Sequence, residues 1–367
     1  MMSLADWVAL SFWSLARTKA GSSWLLPWFD ARSRPNGSPL ADFPEAIAAA
    51  AGREESEVLV SALRVEAAEA LEAAAKAGIS AVPWGDPAYP PLLAAIPDPP
   101  VVIWVRGRAA ALVEPAVAVV GSRAGSAYGL EVAGRLAEDL AAAGAAVVSG
   151  LARGVDSAAH RGALAAGGLT IAVLGSGLLR VYPPEHRRLA ETIADRGAVV
   201  SEWPPATPPR PPNFPARNRI ISGLSLGVVV IEAAERSGSL ITAGFALEQG
   251  REVMAVPGSV LTGRYRGCHA LIRDGAAVVE SAEDVIACLR DSPLRLVNRP
   301  SEETDASDPP NPVLSLLAPG EADDIDTLAA RSGLKPASLL PRLLELELQG
   351  AVRRVAGGRF VRVGRTC

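Results

Sequence analysis

VAVVGSRAGSAYG, residues 117–129, is the stretch that decides the fold, because it joins a short apolar run, a glycine-containing turn and the start of a helix. Further apolar runs lie at residues 145–149, 170–174, 198–201, 227–233 and 252–258, and the segments between them are rich in Ala, Leu, Glu and Arg. Short, continuously apolar strands that alternate with helices are typical of a parallel sheet with helices on both faces. The sequence therefore predicts an α/β fold with a doubly wound, mostly parallel, Rossmann-like sheet.

The chain outside this sheet predicts two smaller domains. Residues 1–78 are rich in Ala and hold four of the seven Trp residues within the first 28 positions, which indicates a small helical, SAM-like domain of short helices. Residues 79–290 form the core domain, which starts with a Pro-rich segment (79–115) ending in the strand-like run VVIWV and its turn. The polar, Pro-rich residues 291–312 predict a solvated linker. Residues 313–367 predict three helices and a β-hairpin, which is a winged-helix domain.

The composition requires any polyanion site to be local. A net charge of −4 in 367 residues gives no general attraction for nucleic acid. No apolar run reaches the length of a membrane span, and the first residues, MMSLADWVAL, lack the basic stretch of a secretory signal. Cys268, Cys288 and Cys367 are odd in number and widely spaced, which suits neither a disulfide framework nor a zinc site. We therefore expect a cytoplasmic protein without a metal and without a membrane partner.

Two glycine-containing turns are predicted at the carboxyl edge of the sheet, where open α/β sheets bind ligands. Each turn carries an arginine and leads into a helix, whose N-terminal N–H groups and dipole favour an anion. The candidate phosphate-binding residues of these turns are Gly121, Ser122, Arg123, Gly150, Arg153 and Gly154. The alternative for the first is a tight turn with a surface arginine. This turn also lacks the G-x-G-x-x-G fingerprint, which argues against a dinucleotide-dependent oxidoreductase.

The segment FPARNRIISGLS (214–225) places basic and aromatic residues together at the predicted start of a helix. Arg217, Asn218 and Arg219 combine charge, fork geometry and helix dipole, which suits phosphate. Phe214 can stack on an unpaired base, and such stacking contributes about 1–3 kcal/mol per base. The alternative is that Phe214 is buried and that the arginines pair with carboxylates.

A further turn follows the apolar run 227–233. Glu232 ends this predicted buried strand, where an acid needs a partner such as an arginine or backbone N–H groups. In the following segment SGSLITAG, Ser237, Gly238 and Thr242 offer hydroxyl and N–H donors to phosphate at the same sheet edge.

Asp156 and His160 are four residues apart and are predicted to share a helix face. A structural Asp near the helix start with a hydrogen-bonded His is favoured over a catalytic or metal pair, because two residues do not make a metal site. No nucleophile–base–acid arrangement stands out, and the chain has three His residues. We therefore predict a binding protein without catalytic residues, a metal or a cofactor.

These segments, in this order, resemble the DNA-processing protein A (DprA/Smf) family. The stretches VAVVGSRAGSAYG, SGLARGVDSAAHRGAL, TIAVLGSGLLRVYPPEH, FPARNRIISGLS and VVVIEAAERSGSLITAGFALEQGREVMAVPG carry the resemblance, which is dense over residues 80–290. It implies a homodimer that binds and protects incoming single-stranded DNA in natural transformation and helps to load the RecA recombinase, with no nucleotide cofactor.

The resemblance also implies a strand-binding pocket. The pocket would contain Ser122 and Arg123, the turn Gly150–Gly154, and the FPARNR residues, and the Ser237–Thr242 turn would close it. In the family, some basic contacts to the strand are often made by Lys. The core of this chain has no Lys, so an arginine such as Arg236 would make these contacts instead.

Two other interpretations remain open at this point. The glycine-containing turns are also similar to those of nucleoside-monophosphate phosphoribohydrolases of the lysine-decarboxylase-like fold. Their PGG-x-GT-x-x-E signature, however, corresponds here to SGSLITAGFALE, which lacks the Gly-Gly pair. A protein-bridging adaptor would have no salt-dependent affinity for DNA.

The winged-helix domain is predicted to be a poor reader of the DNA groove. Its expected recognition helix, PASLLPRLLELELQ, carries one cation, Arg342, against Glu345 and Glu347. The remaining arginines of this domain lie mostly in the hairpin, at Arg353, Arg354, Arg359 and Arg362. A protein partner for this domain is at least as well supported as DNA.

Overall fold

The structure, a computed structural model, describes residues 3–16, 53–289, 313–317, 322–348, 351–355 and 358–362. Its centre is a nine-stranded sheet. The strands are β1 Ile79–Pro83, β2 Val102–Gly107, β3 Ala116–Gly121, β4 Ala146–Ser149, β5 Thr170–Val173, β6 Ala198–Ser201, β7 Gly227–Ile231, β8 Glu252–Ala255 and β9 Ala277–Val278. The helices up to the end of this domain are α1 Leu4–Ala16, α2 Arg53–Lys76, α3 Pro91–Ala94, α4 Ala127–Ala142, α5 Val155–Ala165, α6 Arg187–Arg196, α7 Asn213–Gly223, α8 Gly238–Glu248, α9 Arg266–Arg273 and α10 Ala282–Cys288.

The order of the strands makes the sheet doubly wound. Across the sheet the strands run β1-β2-β6-β5-β4-β3-β7-β8-β9, and all neighbours from β6 to β9 are parallel. The chain proceeds from β3 outward to β6 and then returns to the opposite side of β3 as β7. Ligands bind at such a reversal, outside the carboxyl ends of the strands. The predicted doubly wound, mostly parallel sheet is confirmed.

The central strands form because both of their faces can be buried. Val117, Ala118 and Val119 of β3 have no exposed surface, and β3 pairs with β4 on one side and with β7 on the other. The predicted run VVIWV corresponds to β2. β1 was not predicted; it pairs antiparallel with β2, and β2 pairs antiparallel with β6.

The described N-terminal residues form helices that pack on one face of the sheet. α2 is 24 residues long and contains neither Gly nor Pro, so nothing in its sequence interrupts the helix before Gly78, which has a φ of +64°. The expectation of only short helices is therefore wrong for this segment. Apolar side chains of α1 and α2 share a buried cluster with Trp104 of β2 and Leu174, which follows β5. Residues 17–52 lie outside the described residues.

The C-terminal part has the winged-helix arrangement that the sequence predicts. α11 Ile325–Ser332 and α12 Pro336–Leu348 precede the hairpin of β11 Val352–Val355 and β12 Arg359–Arg362, and β10 Ala322–Asp323 pairs with β12. The first of the three predicted helices is instead a 3₁₀ turn at Leu314–Leu316. The predicted linker, residues 291–312, lies outside the described residues, and the domain boundaries stay a prediction.

Among the residues that the structure describes, no helix combines the length and the apolar character needed to cross a bilayer.

Candidate nucleic-acid interface

A cavity of about 580 Å³ opens at the carboxyl edge of the sheet, beside the reversal between β3 and β7. The turn after β3 and the first turns of α7 and α8 form its walls. The predicted site residues that line it are Gly121, Ser122, Arg123, Phe214, Arg217, Asn218, Arg236, Ser237, Gly238 and Thr242. Its volume lies within the range of about 300–1,000 Å³ that is usual for ligand sites. The fold therefore brings together segments that the sequence predicts to meet.

Arg217 forms the buried floor of this cavity. It is 4% exposed, and its Nη1 donates to the carbonyl oxygens of Gly150 and Val173, at the ends of β4 and β5. Its Nε is buried without a hydrogen-bond partner among the described residues. Burial lowers the pKa of Arg217 to about 10; Asp156 opposes this shift, and Arg123 reinforces it. In the described part of the chain no carboxylate lies at ion-pair distance from this guanidinium, so its positive charge is uncompensated by direct contact.

Arg123 and two aromatic rings form the rim. Arg123 is exposed, and its guanidinium carbon lies 5.6 Å from the centroid of the half-buried Phe214 ring. Phe214 packs in turn against Tyr182, with ring centroids 5.4 Å apart, and Tyr182 is 39% exposed. Rings next to a cation can stack on a base while the cation binds the adjoining phosphate.

The start of α8 contributes a second exposed cation and hydrogen-bond donors. Ser237 is the N-cap of α8, and the Ser239 N–H donates to its hydroxyl. Arg236 is exposed and forms no ion pair with any residue that the structure describes. Asn218 Nδ2 donates to the Gly238 carbonyl at 3.2 Å, which ties α7 to α8. The predicted Ser237–Thr242 turn is therefore the capped first turn of a helix, and such turns favour anions.

The turns after β3 and β4 fit together through a glycine. Gly154 has a φ of +78°, and a Cβ there would lie 2.1 Å from the Ser122 carbonyl oxygen. The Val155 N–H also donates to this oxygen at 3.1 Å. Gly154 therefore positions the Ser122–Arg123 turn and does not itself line the cavity.

The anion site expected at the start of α4 is occupied by the protein itself. Ser126 is the N-cap of α4, and its N–H and Oγ donate to the Glu232 carboxylate at 2.8 and 2.6 Å. Arg264 Nη1 donates to the other oxygen of Glu232 at 3.0 Å. The prediction that Glu232 binds an arginine and a backbone N–H is confirmed. The expectation of a phosphate at this helix start is corrected, because a buried carboxylate lies there.

Arg219 and Arg153 lie outside the cavity. Arg219 points to the other side of α7, where its guanidinium forms a two-bond ion pair with Glu202 and another with Asp98 at 3.0 Å. Arg219 is therefore a structural residue, as in the alternative interpretation of this segment. Arg153 is exposed and pairs with Glu185, near Tyr182 rather than inside the cavity. Neither Arg219 nor Arg153 therefore lies in the pocket, where the sequence predicted both of them.

Asp156 and His160 are structural, as predicted. Asp156 accepts hydrogen bonds from the Gly150 and Ala152 N–H groups at 3.1 and 3.3 Å, and burial raises the pKa of its carboxyl. His160 Nδ1 lies 2.7 Å from Thr170 Oγ1, and burial lowers the pKa of His160 to about 3. No cluster of potential metal ligands occurs among the residues with described positions.

Tyr182 and Arg264 shape this site from its edge and were not predicted to belong to it. Tyr182 belongs to a segment that carries the family resemblance, and its position in the aromatic pair depends on the packing of α7. Arg264, which pairs with Glu232, also donates to the carbonyl oxygen of Ala124 at 2.9 Å, and Ala124 is the residue that follows Arg123. It is distant in sequence from the turn that it holds, so no local pattern indicates it.

Comparison with known families agrees with this geometry. The family model for DNA recombination-mediator protein A matches residues 80–290, which is more than half of the chain. The chain belongs to the DNA recombination-mediator protein A family. The resemblance found in the sequence is confirmed, and a second model, for the DprA winged helix domain, matches residues 297–358.

Individual relatives support the same assignment. Protein Smf of Escherichia coli is 46% identical over 288 residues, which are 76% of each chain. DNA processing protein DprA of Streptococcus pneumoniae is 48% identical over 202 residues, which cover 55% of this chain and 71% of that protein.

Two solved structures of the family also match. The X-ray structure of the Streptococcus pneumoniae protein has a TM-score of 0.58 at 39% identity and covers 68% of this chain and 92% of that one. The structure of DNA processing protein A from Helicobacter pylori has a TM-score of 0.52 at 28% identity and covers 57% of this chain and 94% of that one. The latter is described as giving insight into a unique single-stranded DNA binding mode.

Proposed function

We propose that this chain binds single-stranded DNA in the cavity between the β3 turn, α7 and α8. The observation that carries the proposal is the buried Arg217 guanidinium, which lies at the floor of the cavity with no carboxylate at ion-pair distance among the described residues. Asp156 also lines the cavity and interacts with this charge from a greater distance. Arg123 and Arg236 at the rim add exposed positive charge. An acidic chain that collects three arginines around one cavity is suited to a polyanion.

The chemistry of the cavity suits single strands better than duplexes. Phe214 and Tyr182 offer rings on which an unpaired base can stack, and the Arg123 guanidinium lies over the Phe214 ring, where such a base would share its face with a cation. Bases in a duplex are already stacked on each other, so these rings would have no free face to contact. The binding mode described for the Helicobacter pylori relative supports the same ligand.

The cellular role that follows is protection of incoming single strands in the cytoplasm during natural transformation, with delivery of the strand to RecA. We propose that the protein acts as a homodimer in this role. The family membership and the names of the DNA-processing relatives support it. Co-purification of RecA with strand-loaded protein, and molecular mass by light scattering, test these two points.

The enzymatic alternative is less well supported by the positions of the acids. Glu232 is 1% exposed and engaged by Ser126 and Arg264, and Glu248 lines a different cavity. Asp156 is held by two backbone N–H groups at the start of α5. We therefore propose binding without turnover. Release of ribose phosphate from AMP that disappears on changing Glu248 would contradict this proposal.

The decisive experiment is a titration of labelled single-stranded and double-stranded oligonucleotides at two salt concentrations. Arg123→Ala and Arg236→Ala are each expected to weaken single-strand binding roughly tenfold, as for one lost charged contact of about 1.5 kcal/mol. Each is also expected to make the slope of log affinity against log salt shallower by about 0.7.

Arg135→Ala is the matched control, because Arg135 is an exposed arginine of α4 that pairs with Glu131 and does not line the cavity. It removes the same charge and should leave affinity and salt slope unchanged. Equal losses in all three variants would indicate a general charge effect and would refute the assignment of the cavity.

A further inference from the structure

The start of α4, at the carboxyl edge of the sheet, is a second position where a fold of this kind could bind a phosphate. In doubly wound sheets that bind dinucleotides, the pyrophosphate lies at the reversal of strand order, against the N-terminus of the helix after the first strand. The corresponding helix here is α4, which follows β3, and the reversal lies between β3 and β7. Glu232 directly follows β7 at this point.

The carboxylate of Glu232 makes the contacts that a phosphate would make there. It accepts from the Ser126 N–H at 2.8 Å, from Ser126 Oγ at 2.6 Å and from Arg264 Nη1 at 3.0 Å. A backbone N–H, a hydroxyl and a guanidinium are the usual donors to a bound phosphate. Because Glu232 is 1% exposed, its charge is buried at this position.

The surrounding backbone is fitted to this carboxylate. A Cβ on Gly129, in the first turn of α4, would lie 2.2 Å from Glu232 Oε2, so the glycine leaves the space that the carboxylate fills. Glu232 itself has a φ of +53°, which is unusual for a residue with a side chain. An outlier of this kind at a ligand position points to function, because its contacts have to hold it there.

We propose that Glu232 is a specificity-determining residue, which fills the phosphate position at α4 and so excludes mono- and dinucleotides from the reversal of strand order. Nucleic-acid phosphate is then admitted only in the adjoining cavity, where Arg217, Arg123 and Arg236 lie; this second half rests on the proposed function. Through Arg264, which binds both Glu232 and the Ala124 carbonyl, the same carboxylate also fixes the turn that carries Arg123.

The test is to remove or shorten the Glu232 side chain and to measure the binding of small phosphates. Glu232→Gly removes the side chain and suits a φ of +53°, and Glu232→Asn shortens it with a residue that also tolerates this region. Both variants are expected to bind inorganic phosphate and ADP at least tenfold more tightly than the unmodified chain, measured by calorimetry and by the phosphate-dependent rise in Tm. Glu131→Ala, which removes a half-buried carboxylate of α4 outside the Glu232 position, is the control and should bind like the unmodified chain.

Three results would overturn the proposal. The first is no gain in phosphate affinity in folded Glu232→Gly, or in Glu232→Asn where the glycine variant does not fold. The second is an equal gain in Glu131→Ala. The third needs no Glu232 variant: measurable binding of ADP to the unmodified chain that stays unchanged with Arg123→Ala and Arg236→Ala would show that a nucleotide binds outside the cavity although Glu232 is in place.

The same preparations separate this inference from the proposed function. A chain that binds single-stranded DNA, but whose Glu232 variants gain no phosphate affinity, keeps the proposed function and loses the inference. A chain that binds no single strand, but whose variants gain phosphate affinity, loses the proposed function and keeps the role of Glu232 at α4.

Discussion

Gly150 is the position where the smallest change should have the largest effect on the site. A Cβ there would lie 2.7 Å from Cζ, Nη1 and Nη2 of Arg217, whereas carbon atoms in contact are usually about 3.5–4.0 Å apart. In Gly150→Ala the guanidinium would therefore have to retreat by about 1 Å. This displacement would break or weaken the bonds of Nη1 to the Gly150 and Val173 carbonyls.

The magnitude follows from those two bonds. A hydrogen bond with a charged donor contributes about 1.5–3 kcal/mol, so the loss of both gives an upper value of about 6 kcal/mol. Partial relaxation of the long side chain leaves an expected loss of about 3 kcal/mol in the free energy of unfolding. Single-strand affinity should fall as well, because Arg217 forms the floor of the cavity.

The assay is a double-mutant cycle with Arg217→Ala, measured by urea unfolding. Without the guanidinium, Gly150→Ala meets no such obstacle and should cost less than about 0.5 kcal/mol, which gives a coupling energy of about 2.5 kcal/mol. Gly244→Ala in α8 is the control, because its Cβ would meet nothing within 4 Å; it should be neutral or stabilising. A cost for Gly150→Ala that is the same with and without Arg217 would refute the reasoning.

Further predictions follow from the buried groups and the rim. His160 has a pKa of about 3 in the folded chain against a usual 6.5, so below pH 6.5 the unfolded chain binds a proton that the folded chain does not. The free energy of unfolding is therefore highest above pH 6.5 and decreases as the pH falls. About 2 kcal/mol should be lost between pH 8 and pH 5, and His160→Gln should remove that part of the pH dependence in urea titrations. Arg219→Met leaves Glu202 buried and unpaired and should cost about 3–5 kcal/mol in unfolding free energy, with single-strand affinity unchanged in the folded protein; lost affinity would return Arg219 to the site. Tyr182→Ala should weaken single-strand binding by about 1–3 kcal/mol without changing the salt slope, and a shallower slope would mean that Tyr182 acts through phosphate.

The sheet could be predicted because its strands are continuous apolar runs. The predicted 117–120 and 198–201 correspond to β3 Ala116–Gly121 and β6 Ala198–Ser201 within a residue. β1 could not be predicted in this way, because ISAVP is short and gains its stability from pairing with β2. The cavity was predicted for a related reason: the carboxyl ends of parallel strands meet at one edge, whatever the loops between them contain.

The roles of individual side chains depended on contacts between distant segments. Arg217 and Arg219 are two residues apart on a helix, so they point to different sides of it. Which side faces the cavity is decided by Glu202 and Asp98, which hold Arg219 from other parts of the chain. The same limit applies to α4, because the pairing of Gly121 with Ile231 brings Glu232 level with Ser126, and no local pattern encodes that register.

The cluster shared by the N-terminal helices and the sheet affects how the protein can be divided. A cut between residues 78 and 79 follows the predicted domain boundary but passes through that cluster. It would uncover buried residues of that cluster such as Trp104 of β2, which has no exposed surface in the intact chain. A patch of this kind promotes aggregation. We therefore expect a chain cut at this point to aggregate unless the uncovered sheet face first acquires polar side chains.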